Sequence, residues 1–438
     1  MTAASLSASP VARRRSNTEL GLLVLAILII LCAYALVGLA QTDAIPAGVA
    51  LYGGAMVVLA LAAHLASRRL APGADPLILP ISFLLNGLGL VMVRRLDFAQ
   101  DISRAPAQTV WTVVAIAAFV ATLAALRDHT VLDRYRYLLG ATALMFLLMP
   151  LLPLVGREVN GARIWLRFAG LSFQPGEIAK LGLVAFFASY LSEKRALLTV
   201  ATNRVGPFMV PPARAFGPIL AVWAVSLSVL VFEKDLGLSL LVFGIFVLML
   251  YIGTGRPAYA VAGTGLFAAG AFAAWAVFSH VAARVGTWLD PWTEYESAGY
   301  QVAQSLFAMG TGGLFGVGLG QGRPDLIPEV GTDFIFAAFG EELGLLGTTA
   351  LLLCYFLFLG RGLHIAARCR DDFGQLLAAG LTAMFGLQVF VILGGVTRLL
   401  PLTGLTLPFI SYGGSSLLAN YALVAILLRV SAARERAQ

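Results

Sequence analysis

The chain has 438 residues, of which 59% are hydrophobic and 12% charged, with mean hydropathy +0.87 and a formal net charge of +7. Soluble domains carry about 25% charged residues, so these values exclude a water-soluble globular enzyme and indicate a polytopic membrane protein. No polar stretch is long enough to bury a core of its own, which excludes a separate soluble domain as well.

Residues 1–19 are polar, with Arg13, Arg14 and Arg15 ahead of the first apolar run. This resembles the front of a signal peptide, but the run 20–40 is long enough to cross a bilayer, so an uncleaved anchor behind a disordered cytoplasmic tail is expected. Further apolar segments follow at 48–66, 76–93, 109–126, 136–155, 176–193, 216–232, 236–253, 258–279, 334–360, 374–397 and 411–431. The expectation is an all-α protein with about twelve transmembrane helices. The pair flanking Glu233 also reads as one long broken span. The piece 162–173 is amphipathic.

Basic residues orient this map. With the N-terminus inside, nineteen of the 30 lysines and arginines fall in cytoplasmic segments and ten outside, with Lys180 within a span. The positive-inside rule then puts both termini in the cytoplasm and the long loop of about 281–333 outside. The outer arginines cluster at the membrane surface, either against lipid headgroups or around an anionic substrate. Cys32, Cys354 and Cys369 imply no disulfide framework. His64, His129, His280 and His364 are scattered and read as helix-end residues, so no metal site is expected.

Four stretches could carry chemistry. In 160–187, Arg163, Trp165 and Arg167 alternate with apolar neighbours, as in a strand or a surface-lying segment. Pro175 then opens a span, and Glu177 and Lys180 share one helix face at i, i+3. Such a pair inside a span either neutralises itself or holds a cation toward a phosphate or a reacting carboxylate. The turn Glu233-Lys234-Asp235 interrupts an apolar stretch, which a charged hairpin explains equally well.

The third stretch runs from 301 to 347. Gln301, Gln304 and Ser305 have the spacing to line a groove, and a run of glycines from Gly310 to Gly322 makes a close-approach backbone. It lacks the Gly-Lys-Ser/Thr ending of a nucleotide loop. Asp325 and Glu329 precede Asp333, which sits where polar chain turns apolar, and Glu341 and Glu342 follow. Thr332 or Asp333 could simply cap the helix. A carboxylate with one wet and one dry side is also a good setting for a tuned base, and adjacent carboxylates in a membrane helix are costly without a role. The fourth stretch, 394–416, has Pro401 and Pro408 with Arg398 as its only charge. Irregular backbone at membrane depth must line a cavity or pack in protein.

These stretches, NGARIWL with FQPGEIAK, KDLG, GVGLGQG with LIPEVGTDFIFAAFGEELG, and GGVTRLLPLTGLTLPFISYGGSS, resemble the SEDS family (shape, elongation, division and sporulation), which includes RodA and FtsW, with RodA the nearer. The motifs lie in order over 160–416, and the hydropathy pattern extends the likeness to about 76–431. The resemblance implies a ten-helix glycosyltransferase core at 76–438, preceded by a two-helix addition at 20–75. It implies a peptidoglycan glycosyltransferase that polymerises lipid II at the outer face of the cytoplasmic membrane, beside a class B penicillin-binding protein. By motif, Asp333 matches the family's essential carboxylate, and Glu177 and Lys180 match its Gln-Pro-x-Glu-x-x-Lys pair. Two positions depart from the pattern: Gly176 stands where Ser or Ala is usual, and Lys234 where Pro is usual.

Joining an α-linked donor into a β-linked product calls for one inverting displacement, hence one general base. Asp333 is the expected base. Lys180, Arg163 and Arg398 are expected to face the departing diphosphate, and Trp165, Glu177, Glu329 and Glu341 to complete the substrate site. No cofactor is obligatory on this reading, although a divalent cation (Mg or Mn) could share the diphosphate charge. The rival readings are a flippase of the lipid-linked precursor and a non-enzymatic scaffold.

Overall fold

The computed structural model describes residues 10–433 apart from 153–154, 160–161, 169–170, 200–202, 206–207, 298 and most of 211–230. The helices are α1 (Pro10–Thr42), α2 (Val49–Leu70), α3 (Ile78–Gln100), α4 (Ala105–Ala125), short α5 (Thr130–Arg134), α6 (Arg136–Leu148) and α7 (Pro175–Thr199). After them come α8 (Leu236–Thr254), α9 (Pro257–Val277), α10 (Ser279–Leu289), α11 (Tyr300–Gly312), α12 (Ile335–Arg368), α13 (Asp372–Val396) and α14 (Gly414–Ala433). Among the described residues, 9 helices are long and apolar enough to cross a membrane: α1 to α4, α8, α9, α12, α13 and α14. The chain is a largely helical, polytopic membrane protein. Residues Arg136–Leu151 form a shorter apolar helix, and the 25-residue α7 has a span's length but carries Glu177 and Lys180. The expected span 216–232 falls for the most part outside the described residues.

Two segments differ in detail from the sequence expectation. The helix expected over 136–155 stops at Leu148, where a 3₁₀ turn, Met149–Leu151, contains Pro150. Proline lacks the N–H that would continue the helix. The alternating piece that follows is a three-stranded antiparallel sheet of β1 (Gly156–Val159), β2 (Ala162–Phe168) and β3 (Leu171–Phe173). Arg157 lies opposite Trp165, and Arg167 opposite Ser172. A second hairpin, β4 (Asn203–Val205) with β5 (Phe208–Val210), lies in the loop after α7.

The interior is built by α3, α7, α13 and α14, whose side chains are buried on most faces. Lipid tails are as apolar as leucine, so close packing rather than water exclusion drives such association. Gly89 of α3 shows how tight it is, since a Cβ there would lie 2.4 Å from the Ile410 carbonyl oxygen. Helix α9 packs on α8 through Gly263, its one buried residue, which faces Val247. The N-terminal pair joins the bundle through α1 against α3. It is internally tied by a buried trio, in which His64 Nδ1 lies 2.7 Å from Glu19 Oε1 and Ser67 Oγ donates to Glu19 Oε2 at 3.2 Å.

Helix α12 spans 34 residues, roughly 50 Å at 1.5 Å per residue. It is interrupted at Gly344, where φ is 64° and ψ −165°, a conformation open only to glycine without strain. The freed amides are satisfied from outside the helix. Leu345 N donates to Gly313 O at 2.9 Å and Leu346 N to Leu314 O at 3.1 Å.

Candidate active site

The chain between α13 and α14, residues 397–413, has no regular structure and is held by hydrogen bonds from several elements. Gln388 Nε2 of α13 donates to Thr406 O at 2.8 Å, and Tyr355 Oη of α12 to Pro408 O at 2.8 Å. Tyr412 N donates to Gly331 O at 2.8 Å, and Ser411 Oγ to Thr332 O. The loop is thereby fastened to the residues just before α12, where Asp333 stands.

Around this loop three charged groups converge from three elements. Asp333 is half-buried, and a Cβ placed on Gly404 would sit 3.7 Å from its Oδ2. Gly404 itself has a φ of +76°. Arg284 of α10 donates from Nη1 to Thr403 O at 3.2 Å and Leu402 O at 3.4 Å. Asp235 caps α8, accepting from Leu238 N at 3.0 Å, and the following Gly237 packs so closely that a Cβ would lie 2.7 Å from Thr403 O. Residues 402–404 are thus a hub touched by Arg284, by the Asp235 turn and by Asp333.

Loss of hydration pushes the Asp333 carboxyl up to about 7. The Glu329 and Asp235 carboxylates also push it upward, while the Arg284 guanidinium pulls it down. Asp235 is raised as well, chiefly by burial. A carboxyl near 7 is poised to accept a proton at neutral pH, the property a general base needs.

The Glu177–Lys180 pair sits behind the hub. Both side chains are buried, with Lys180 Nζ donating to Glu177 Oε1 at 2.9 Å and to Gln388 Oε1 at 2.8 Å. Gln388 therefore connects Lys180 to Thr406 through one amide, using its oxygen on one side and its nitrogen on the other. Lys180 and Glu177 in turn act electrostatically on Asp235.

Other expected residues are engaged differently. Arg398 Nε donates to Trp288 O at 2.8 Å and Nη2 to Leu289 O, while Trp288 Nε1 donates to Arg398 O at 3.1 Å. A guanidinium on the last carbonyls of α10 is a favourable helix terminus, and it fixes the helix that carries Arg284. Glu341 Oε1 accepts from Arg323 N at 3.0 Å, and its buried Oε2 has no hydrogen-bond partner among the described residues. Glu342 pairs with Arg95 at 2.9 Å and accepts from Gly320 N at 2.8 Å. These two carboxylates dock the glycine-rich segment onto the break in α12.

Glu329 is exposed, and its backbone carbonyl accepts from Asp333 N at 3.2 Å. Arg163 is exposed and Trp165 half-buried on β2, at the sheet next to the start of α7. Ser305 donates to Val396 O at 3.3 Å, and Gln304 to Tyr295 Oη at 3.0 Å. Lys234 has a φ of 60°, which a proline ring cannot adopt, so this turn accommodates the departure from the Pro-Asp pattern by a backbone change.

Sequence reasoning missed Arg284 and Gln388. Arg284 is one of ten outer basic residues, and only the fold shows that it faces the hub. Gln388 is a lone amide in an apolar span, a signal that intramembrane polar residues deserve to be read. Among the described residues, the one group of His, Cys, Asp or Glu ligand atoms within 4.8 Å of each other is His129, Cys369 and Asp371. It lies where α12 gives way to α13, away from Asp333.

A family model described as "Cell cycle protein", FtsW/RodA/SpoVE, matches residues 76–436. The chain belongs to the FtsW/RodA/SpoVE family. Within that family it is 49% identical over 435 residues to the peptidoglycan glycosyltransferase RodA of Mycobacterium tuberculosis, covering 98% of this chain and 93% of that protein. The crystal structure of Thermus thermophilus rod shape determining protein RodA superimposes with a TM-score of 0.57 at 29% identity, covering 83% of this chain and 98% of the other. A structure from work on coordination of polymerization and crosslinking by a peptidoglycan synthase complex gives a TM-score of 0.65 at 27% identity, covering 82% of this chain and 98% of that one.

Proposed function

We infer that this protein is a peptidoglycan glycosyltransferase of the RodA type that polymerises lipid II into glycan strands. The observation that carries the chemistry is Asp333. It is a half-buried carboxyl pushed up to about 7, with Arg284 beside it and the Lys180 network behind the same loop. In the reaction, Asp333 takes the proton from the 4-hydroxyl of the acceptor sugar as that oxygen bonds to the anomeric carbon of the donor. The bond from that carbon to the diphosphate breaks, and the lipid diphosphate leaves with the electron pair. One displacement inverts the anomeric centre.

The negative charge that develops on the leaving diphosphate calls for fixed cations. Arg284, Lys180 and, from the sheet, Arg163 supply it, with Trp165 as an apolar contact for the sugar or lipid. Glu177 holds Lys180, and Glu329 keeps Asp333 basic. Arg398 acts through α10, and Glu341 through the glycine-rich segment. A divalent cation, Mg or Mn, commonly binds through one or two carboxylates and the substrate's own phosphates, and there it would neutralise diphosphate charge. The carboxylates at this site are Asp333, Glu329 and Asp235, the last of them committed to capping α8.

The distribution of basic residues supports about twelve spans, both termini cytoplasmic, and residues of about 281–333 outside. The site then opens on the outer face of the cytoplasmic membrane. A class B penicillin-binding protein would be the partner that cross-links the product, in keeping with the synthase complex that this fold resembles. Purified protein and its Asp333→Ala variant, supplied with lipid II, test the assignment. Polymer is expected from the first and none from the second, and equal polymer from both would remove Asp333 from the mechanism.

A further inference from the structure

A second cluster of chemistry-bearing side chains lies at the end of α12 remote from Asp333, roughly 50 Å along the helix axis. His129 precedes α5, Cys369 follows α12, and Asp371 caps α13, where its Oδ2 accepts from Gly374 N at 2.6 Å. His129 is 3% exposed, and its ring runs parallel to that of Phe373. Its Nε2 lies 2.9 and 3.0 Å from the two Asp371 oxygens, and Cys369 Sγ lies 3.3 Å from Asp371 Oδ1. Ligands of a tetrahedral zinc ion, bound at about 2.0–2.3 Å, stand roughly 3.3–3.6 Å apart. These separations need to widen only slightly to reach that spacing.

Gly374 shows where an ion fits. A Cβ there would lie 2.6 Å from His129 Nε2, 2.7 Å from Cys369 Sγ and 2.8 Å from Asp371 Oδ2. Three different ligand atoms therefore converge on one point, which the missing side chain of a glycine leaves open. The backbone at Gly374 is helical, so conformation alone does not call for glycine. An ion has to sit slightly farther from the backbone than that point, toward the three atoms. Cys369 is half-buried and the Asp371 side chain 42% exposed, so an ion can enter from solvent.

The other ring nitrogen supplies an independent observation. His129 Nδ1 is buried with no hydrogen-bond partner among the described residues, and the exposed Asp128 carboxylate lies 3.4 Å from it. While Nε2 donates to Asp371, a neutral ring turns Nδ1 toward that carboxylate as a bare acceptor. A ring that ligates through Nε2 carries its proton on Nδ1 instead and donates toward Asp128. This order of carboxylate, histidine and metal is the usual support of a zinc ligand. Magnesium and calcium take oxygen ligands, whereas thiolate with imidazole suits zinc.

We propose that His129, Cys369 and Asp371 bind a zinc ion, which pins α5 to the junction of α12 and α13. Cys369 releases its thiol proton to water as the zinc–sulfur bond forms. Without metal the same groups are a hydrogen-bonded triad, and the test separates the two. The full-length protein in detergent, free of any histidine tag, is stripped with a chelator. It is titrated with zinc against a chromophoric competitor, and then with cobalt(II), whose thiolate complex has an ultraviolet charge-transfer band. One equivalent of zinc, the cobalt band and a rise in melting temperature on adding zinc are expected, and none of these with magnesium.

Cys369→Ser should abolish the band and weaken zinc by more than about a hundredfold, beyond what supporting residues command. Gly374→Ala keeps every ligand but fills the space, and should weaken zinc comparably. His64→Gln alters a buried histidine that pairs with Glu19 elsewhere, and should leave zinc binding unchanged. The site is overturned by less than one equivalent of zinc at saturation, by a cobalt complex without the band, or by magnesium binding as tightly as zinc. Unweakened binding in Cys369→Ser or Gly374→Ala overturns it as well. Where Gly374→Ala does not fold, Cys369→Ser, nearly isosteric with the native residue, decides alone.

Discussion

Asp333, the proposed base, joins a cost to the fold with a use in the reaction. Its carboxyl is raised to about 7 by burial and by neighbouring Glu329. If Asp333 is the base it must be ionised, and activity is then expected to fall as pH drops below 7. At pH 6 kcat/KM should be about a tenth of its value at pH 8, with wild-type protein and lipid II in the same detergent. Asp333→Asn should lose about 10² to 10⁴-fold in rate at every pH. Stability runs the other way. A carboxyl whose folded pKa lies above its unfolded value contributes stability at low pH that is lost as pH rises through about 7. Asp333→Asn should therefore melt above the wild type at pH 8 and level with it below pH 4. Arg284 pulls the same carboxyl downward. Arg284→Gln should move the acid limb of the pH profile to higher pH, and Arg284→Lys should return part of the way. A substitution that only disturbed the fold would lower the rate without moving that limb.

At the scale of elements, what could be read beforehand follows from how directly sequence encodes each feature. Spanning helices announce themselves by hydropathy, and Asp333, Glu177 and Lys180 announce themselves as charges that a membrane tolerates only with partners. The three-stranded sheet showed as alternation of Arg163, Trp165 and Arg167, but the register that sets Arg157 opposite Trp165 is not something hydropathy reports. Least legible was the hub at 402–404. Gly237 and Gly404 look like ordinary glycines until the backbones are brought together, and the contact of Arg284 with Thr403 joins residues far apart in the chain. This reading has a direct consequence. Gly237→Ala puts a Cβ 2.7 Å from a carbonyl oxygen that cannot swing aside, so the loop must shift. Overpacking of that kind costs about 1–3 kcal/mol, and the melting temperature and polymer yield should fall together. The buried pair behaves differently. Glu177→Gln strands the Lys180 charge and should cost about 3–5 kcal/mol. Glu177→Gln combined with Lys180→Met removes the stranded charge and should recover most of the stability. Polymerisation should stay lost, because the cation behind the hub is gone.

For the whole molecule the decisive question is which side of the membrane each end of α12 faces. The chain's arginines divide unevenly between the two sides, and that bias argues for Asp333 outside and Arg361 inside. The same orientation separates polymerase from flippase. A flippase must offer its site to both faces in turn, whereas the site here is a fixed constellation at one mouth, with its loop tied to α12, α13 and the α8 turn. Orientation can be tested in intact cells with a variant lacking native cysteines. Asp325→Cys, in the segment before Asp333, should react with a membrane-impermeant maleimide from outside. Arg68→Cys, at the end of α2, should react only after permeabilisation. In sealed vesicles carrying the protein in one orientation, lipid II confined to the Asp333 leaflet should be polymerised, and lipid II confined to the opposite leaflet should be left untouched. Polymer from both leaflets would require the protein to move its own substrate across, and would revive the transport reading that the one-sided site argues against.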